Sequence, residues 1–309
     1  MSELSKAIGR KQSIPKELRY TLFDFNAEFP SDAACLEYVK EQRFPGGVTQ
    51  CEKCQQERRH YRVTGRTAYA CDHCGNHVYP LAGTIFEKTT TSLRLWFYAM
   101  YLMGSTRCGI SAKQIQRETG VTYKTAWRMF RQIRSLLSEN ELKLEGAAVE
   151  MDETYVGGRR RGKRGRPPAG DLKKKCVVGV VERKGRVVAL AANDATRETL
   201  HGIAKEHILP QSTVFTDTLS AYDGLDKVNG YAHRCINHSA GVYVVGDIHT
   251  NTIEGFWSLV KRGIGGVYHA VGHKYLQTYL DEYSFRYNRR DLGNLIFKSI
   301  LEKVSERAS

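Results

Sequence analysis

The residues of this chain equipped for chemistry are a set of acids and two pairs of cysteines. Asp152 closes the short, largely apolar run Ala147-Ala-Val-Glu-Met151, bounded by Gly146 and by Gly157-Gly158. Too brief for a helix, the run reads as a buried strand. Asp217 ends a second short run, Thr213-Val-Phe-Thr216. Glu254 stands in Asn251-Thr-Ile-Glu254 at the opening of a helix, and Lys261, seven residues on, falls on the same helix face. A carboxylate at the end of an apolar strand is costly to desolvate unless it is hydrogen-bonded, ion-paired or bound to a metal. Three on one sheet edge would raise one another's pKa unless divalent ions sat between them. Oxygen-only ligation selects a hard cation, Mg²⁺ or Mn²⁺. Two such ions about 4 Å apart hold the attacking and leaving oxygens of a phosphodiester in line. Spacing alone leaves Glu153, Asp223, Asp226 and Asp247 as competing acids. It also leaves plainer readings: Glu254 as the capping-box partner of Asn251, Asp217 as the cap of a short helix through Tyr222, and Lys261-Arg262 as a solvated face.

The cysteines have a more specific pattern. Cys51-Glu-Lys-Cys54 and Cys71-Asp-His-Cys74 are two CxxC pairs separated by sixteen residues, the spacing of a four-thiolate zinc ribbon. Each pair turns two sulfurs toward one point, and the stretches Tyr61-Arg-Val and Thr67-Ala-Tyr-Ala70 read as the strands that bring the pairs together. Four thiolates complete a tetrahedral site, so His60, His73 and His77 are left out and the zinc is expected to be structural. Eight cysteines without an export signal argue against a disulfide framework.

Around these groups the chain is basic, with a net charge of +14. Such a charge implies a polyanionic partner. Residues 157–175 hold nine Lys or Arg against Asp171 alone, a local net of +8. Within them, Lys163-Arg164-Gly165-Arg166-Pro167-Pro168 has the form of a short arm that lies in an A·T-rich minor groove through Arg164 and Arg166. The plainer reading is a solvated insertion touching phosphates. From Ser92 to about Gly104 the apolar residues recur at helical spacing. Ser111-Ala-Lys-Gln114 then reads as a capping box opening a second helix that stops at Gly120, and Thr122 caps a third. On that third helix Ala126, Met129, Phe130, Ile133 and Leu137 share one face, opposite Lys124, Arg128 and Arg131. Short helix, glycine turn and longer basic helix form the helix-turn-helix plan for DNA; a three-helix packing unit with a solvated face is the alternative.

Beyond residue 175, a β-hairpin turning at Arg183-Lys184-Gly185, a helix over 196–208, strands ending at Asp217 and Cys235, and closing helices give a mixed sheet with flanking helices. In such sheets, ligands and catalytic groups collect at the strand ends. Ser31-Asp32 opens a helix through Val39, and Phe44-Pro45-Gly46-Gly47 is a breaker. No apolar run reaches the length of a membrane span, and Met1-Ser-Glu-Leu-Ser-Lys6 lacks a signal pattern, so a cytoplasmic, nucleoid-associated protein is expected.

Four motifs together carry a resemblance: Met151-Asp-Glu-Thr-Tyr-Val-Gly-Gly158, Phe215-Thr-Asp217 with Ala221-Tyr222, His249-Thr-Asn-Thr-Ile-Glu-Gly-Phe-Trp-Ser-Leu-Val-Lys261, and Tyr279-Leu-Asp-Glu-Tyr-Ser-Phe-Arg-Tyr-Asn-Arg289. The chain resembles prokaryotic insertion-sequence transposases of the DDE type, in the group with an N-terminal zinc ribbon, from about Cys51 to Arg290. The resemblance implies an RNase H-like catalytic domain, and with the residue patterns it gives a multidomain α+β organisation: an N-terminal helical support over 1–45, a zinc ribbon over 46–90, a helix-turn-helix region over 91–143, and the RNase H-like domain over 144–300. It also implies that Asp152, Asp217 and Glu254 bind two Mg²⁺ or Mn²⁺ ions and that Lys261 contacts a DNA phosphate near the cut. The partners implied are terminal inverted repeats and target DNA, held by a homodimer or larger assembly. The rival functions are a DNA-binding regulator derived from a transposase, which loss of one acid would mark, and a nuclease for RNA–DNA hybrids or branched DNA.

Overall fold

The computed structural model describes residues 15–145, 148–157, 174–236 and 250–306. Two compact units emerge: one runs to Ser105 and resumes at Arg289, and the other is Thr106–Asn288.

In the first unit, Thr21 and Asp24 cap α1 (Leu22–Glu28) reciprocally, and Ser31 caps α2 (Asp32–Arg43). The second helix continues past Val39 because no breaker intervenes before Pro45-Gly46-Gly47, where Gly46 takes φ +63°. Four short strands follow, β1 (Val48–Cys51), β2 (Gln56–Arg62), β3 (Tyr69–Cys71) and β4 (His77–Val78), antiparallel in sequence order. Next, α3 (Leu93–Ser105) buries Leu93, Trp96, Phe97, Met100 and Tyr101. The last helix of the chain, Ile296–Glu306, packs on it. There Phe297 stands 5.3 Å from Tyr20 and 5.8 Å from Phe25 and Tyr101, ring centre to ring centre. A Cβ on Gly104 would come within 2.8 Å of the Phe297 backbone nitrogen, so glycine is what lets the two helices approach.

The second unit opens with α4 (Ala112–Thr119) and α5 (Tyr123–Ser135), joined through Gly120 at φ +71°. Ser111 caps α4 by accepting the Gln114 N–H, but the Gln114 side chain turns to Glu118, so the cap is single and not the reciprocal box expected. Helix α5 buries Ala126, Met129, Phe130 and Ile133 while Lys124, Arg128 and Arg131 face solvent, as a 3.6-residue period dictates.

The sheet is built from β5 (Ala148–Val156), β6 (Lys175–Glu182), β7 (Val187–Ala192), β8 (Thr213–Asp217) and β9 (Ala232–Ile236), in the spatial order β7-β6-β5-β8-β9. The pairs among β7, β6 and β5 are antiparallel; β8 and β9 run parallel to β5. Between β7 and β8, α6 (Arg197–His207) is capped by Thr196. After β9 come α7 (Asn251–Gly263) and α8 (Leu276–Asn288). Alternation along the strands feeds two cores: Val149, Met151, Val178 and Val180 pack with Leu200 and Ala204 of α6, while Val177, Val181, Val187 and Ala189 pack with Ile253, Phe256, Trp257 and Val260 of α7 and Leu280 and Tyr283 of α8. An antiparallel three-strand start, two parallel strands added at its first strand, and helices on both faces make this an RNase H-like mixed α/β fold.

Candidate active site and metal centre

The parallel pairing of β5 and β8 sets the site. Ala148, Val149 and Glu150 pair with Thr213, Val214 and Phe215, each partner 65 positions on. The same offset, 217 − 152 = 65, puts Asp152 and Asp217 level on neighbouring strands and on one face. Neighbouring strands lie about 4.8 Å apart. Asp152 was expected to end its strand; instead β5 continues to Val156, because β6 pairs with it along the whole length from Glu182 to Lys175. What ends at Asp152 is the parallel neighbour, since β8 stops at Asp217.

Helix α7 reaches the two acids by lying close against β6. Gly179 is the register partner of Asp152, and a Cβ there would come within 2.5 Å of Trp257 Cζ2 and 2.8 Å of Ile253 Cδ1. A bare glycine inside a β-branched run is the sequence mark of such an approach. The Trp257 indole N–H, thus seated, donates to Asp152 Oδ2 at 3.0 Å. Glu254, one turn earlier on α7, is exposed, and with Asp152, Trp257, Ser258, Lys261 and Arg262 it lines one open depression. The N-cap position is Thr250, not Asn251, and its side chain makes no capping bond, so the box pairing of Glu254 with Asn251 is absent; Thr250 Oγ1 donates to Glu254 Oε1 at 3.4 Å. Asp217 does not cap the short turn Ser220–Tyr222, whose N-cap is Leu219 without a side-chain bond; its Oδ1 accepts the Leu219 N–H at 2.9 Å just ahead of that turn.

Burial, then the negative charges of Glu153 and Asp217, push the Asp152 carboxyl up to about 7. A divalent cation beside it would remove that penalty, and carboxylates are the donors a hard cation takes; Asp152 from mid-strand and Glu254 from the helix share the depression, while Asp152, Asp217 and Glu254 together are not drawn close enough to share one ion. The competing acids fall elsewhere. Glu153 points to the other face, where the buried Tyr222 hydroxyl donates to its Oε2 at 3.0 Å. Asp223 and Asp226 lie beside His233, whose ring bonds Thr216 on that same opposite face. Asp247, Arg164 and Arg166 lie outside the described residues.

One acid was not among the candidate site residues that the sequence singled out. Glu150 is fully buried on the face of Asp152, and it accepts from the backbone N–H groups of Thr252 and Ile253 at the start of α7. Its place two residues before Asp152, on the same side of the strand, was the available signal.

In the ribbon, Cys51 ends β1 and Cys71 ends β3, and each is followed by a tight turn, with Gln55 at φ +56° and Gly75 at φ +72°. Among the described residues, the four cysteines are the only three or more His, Cys, Asp or Glu grouped closely enough to share one ion, with sulfurs all within 4.8 Å of one another. Cys51 Sγ is 3.5 Å from Cys74 Sγ, and Cys54 Sγ is 3.9 Å from Cys71 Sγ. Tetrahedral zinc with Zn–S bonds of about 2.3 Å sets its sulfurs about 3.8 Å apart, so the cradle fits that ion. Backbone N–H groups of Cys54 and Lys53 draw the Cys51 thiol down to about 6, while the neighbouring sulfurs, Cys74 first, push the Cys54 thiol up.

The fold defines an RNase H-like protein, and the same chain carries a four-cysteine ribbon in its other unit. The chain matches the ISXO2-like transposase domain over residues 143–288 and the transposase zinc-ribbon domain over residues 30–77. It is 30% identical over 292 residues to a protein of the transposable element ISH50 of Halobacterium salinarum, covering 89% of this chain and 97% of that one. A transposase-like protein of Haemophilus influenzae is 31% identical over 121 residues, 39% of this chain and 94% of that one. A Mos1 strand transfer complex superposes with a TM-score of 0.29 and 9% identity over 64% of this chain and 73% of that one, too slight a likeness to carry an argument. The chain belongs to the insertion-sequence transposases with an ISXO2-like transposase domain and an N-terminal zinc ribbon. Among the described residues no helix is long and apolar enough to cross a membrane.

Proposed function

We propose that the chain is an active DNA transposase that cleaves at its element's ends and transfers the freed 3′-hydroxyls to target DNA. The observation that carries this is Asp152 level with Asp217 on parallel strands, with α7 fastened over Asp152 through Trp257 so that Glu254 and Lys261 share its depression. Asp152, Asp217 and Glu254 would hold two Mg²⁺ or Mn²⁺ ions. When bound, the ions supply the charge that activates a water and steadies the leaving oxygen. Trp257 keeps the Asp152 carboxylate turned into the site. Lys261 offers its ammonium to the phosphate beside the cut, and the outer face of α5, through Lys124, Arg128 and Arg131, binds the duplex near the element's end. Hydrolysis of one phosphodiester frees a 3′-hydroxyl; that oxygen then attacks a target phosphodiester, one P–O bond forming as another breaks. Cys51, Cys54, Cys71 and Cys74 hold structural zinc, and Arg164 and Arg166 grip flanking or target DNA. Two ends must be joined in one event, which calls for a homodimer or larger assembly on DNA within the nucleoid.

The test is nicking of labelled duplexes bearing the element's terminal repeats, with Mg²⁺ or EDTA, by wild type, Asp217→Asn and Glu254→Gln. Wild type should nick at the repeat boundary only with metal. Each variant should bind the ends as before and lose nicking by at least about 100-fold, the upper range for disturbing even the outer shell of a metal site. Nicking retained by a variant would remove that acid from the site. Tight binding without nicking in Mg²⁺ and Mn²⁺ would make the chain a DNA-binding regulator.

A further inference from the structure

Beneath the three acids lies a second layer made of the residues two positions before each of them, buried on the strands and half-buried on the helix. Glu150 precedes Asp152, Phe215 precedes Asp217, and Thr252 precedes Glu254. On the strands, two positions back means the same face, one step deeper under the site.

Glu150 and Arg183 join these three residues. Glu150 Oε2 accepts the N–H groups of Thr252 at 2.8 Å and Ile253 at 3.0 Å, while Oε1 accepts the Thr252 hydroxyl at 3.0 Å and Arg183 Nε at 2.9 Å. Arg183, in the turn between β6 and β7, lays its guanidinium over the Phe215 ring, 3.9 Å from its centre. Its own N–H donates to the Ala148 carbonyl at 3.1 Å, so the turn is tied to the start of β5. Thr250, the residue before α7, makes no side-chain cap. The first N–H groups of a helix have no partner within it and carry its positive end, so an anion from another element both satisfies them and fixes the helix in place. Here that anion is a fully buried carboxylate whose charge Arg183 balances.

We propose that Glu150, held by Arg183, is a positioning residue that sets the spacing of Asp152, Asp217 and Glu254 before any metal binds. The inference rests on the reading of these acids as the metal site. One carboxylate holds the start of α7, and therefore Glu254, to the strand that carries Asp152. The guanidinium it binds rests on the ring below Asp217. Gln at position 150 would keep the size of the side chain but lose the charge that Arg183 answers. Its amide NH₂ would also face donors on whichever side it turned.

The experiment is Mn²⁺ binding to the full chain, followed by electron paramagnetic resonance of the free ion, for wild type, Glu150→Gln, Arg183→Gln and Arg183→Lys. Nicking of end duplexes is measured alongside, with kcat and KM separated. Glu150→Gln and Arg183→Gln should weaken Mn²⁺ binding by about 10–100-fold, as disturbed outer-shell partners do, and lower kcat while leaving KM for DNA unchanged. Arg183→Lys, which keeps the charge but loses the guanidinium on Phe215, should fall between wild type and Arg183→Gln. Should Glu150→Gln fail to fold, as judged by circular dichroism, the partly exposed Arg183 decides through its Gln variant. Unaltered Mn²⁺ affinity in a folded variant overturns the positioning role and leaves the active-site reading standing. Wild type that binds no Mn²⁺ overturns that reading, and the positioning role with it.

Discussion

Removing the charge of Glu282 should destabilise the Thr106–Asn288 unit more than any exposed substitution could. Glu282 lies wholly inside α8, and Arg134 of α5 donates to its Oε2 through Nε at 2.6 Å. Arg134 Nη2 also stands 2.6 Å from that oxygen, an ion pair off the line of a hydrogen bond. Arg286 donates to Oε1 through Nε at 3.0 Å and Nη2 at 2.7 Å, and its Nη1 reaches the Thr106 carbonyl at 2.7 Å. The Arg134 guanidinium is further packed against Phe130 and Tyr279, 3.7 and 3.5 Å from their ring centres. Glu282→Gln leaves two guanidiniums buried around a neutral amide, and stripping one partner from a buried pair costs about 3–5 kcal/mol. The unit spans 288 − 106 + 1 = 183 residues. At about 2–4 °C per kcal/mol for that size, its melting transition should fall by roughly 6–20 °C. Arg134→Met should cost less, because Glu282 keeps Arg286 as its partner. Burial pushes the Glu282 carboxyl up, but Arg134 and Arg286 outweigh it and hold the group below its ordinary value of 4.5. The stabilisation is therefore complete above that value and is lost as pH falls below it, a loss that Glu282→Gln should not show. Scanning calorimetry of the full chain across pH reads all three quantities. A shift under about 1 kcal/mol for Glu282→Gln, or a larger one for Arg134→Met, would refute the charge balance, since it is the unpaired charge that carries the cost.

Two other outcomes follow from the packing. Gly179→Ala places a methyl 2.5 Å from Trp257 Cζ2, which overpacks the face under α7 at about 1–3 kcal/mol and draws the indole off Asp152; denaturant midpoints and Trp257 fluorescence should both move. Cys54→Ser, or a strong chelator, should release one equivalent of zinc and unfold the ribbon while the melting transition of Thr106–Asn288 stays in place, as zinc titration and calorimetry will show.

The sequence alone determined whatever depends on short spacing. The ribbon was legible because two CxxC turns bring their own sulfurs together, leaving only a strand pair to close the group. Helix α5 was legible because a 3.6-residue period separates Met129 and Phe130 from Arg128 and Arg131 within a few turns. Motif resemblance brought out Asp152, Asp217 and Glu254, but nothing local told Asp217 from Asp223 or Asp152 from Glu153. The parallel register of β5 with β8 and the alternation of the two faces put Asp152 and Asp217 on one face and Glu153 on the other, and both belong to the assembled sheet. Only tertiary structure disclosed Glu150, 102 positions from Thr252, and the pairing of Arg134 with Glu282, 148 positions apart. A buried charge is tolerable only beside its partner, and the sequence distance between the two has no bearing on whether the fold brings them together.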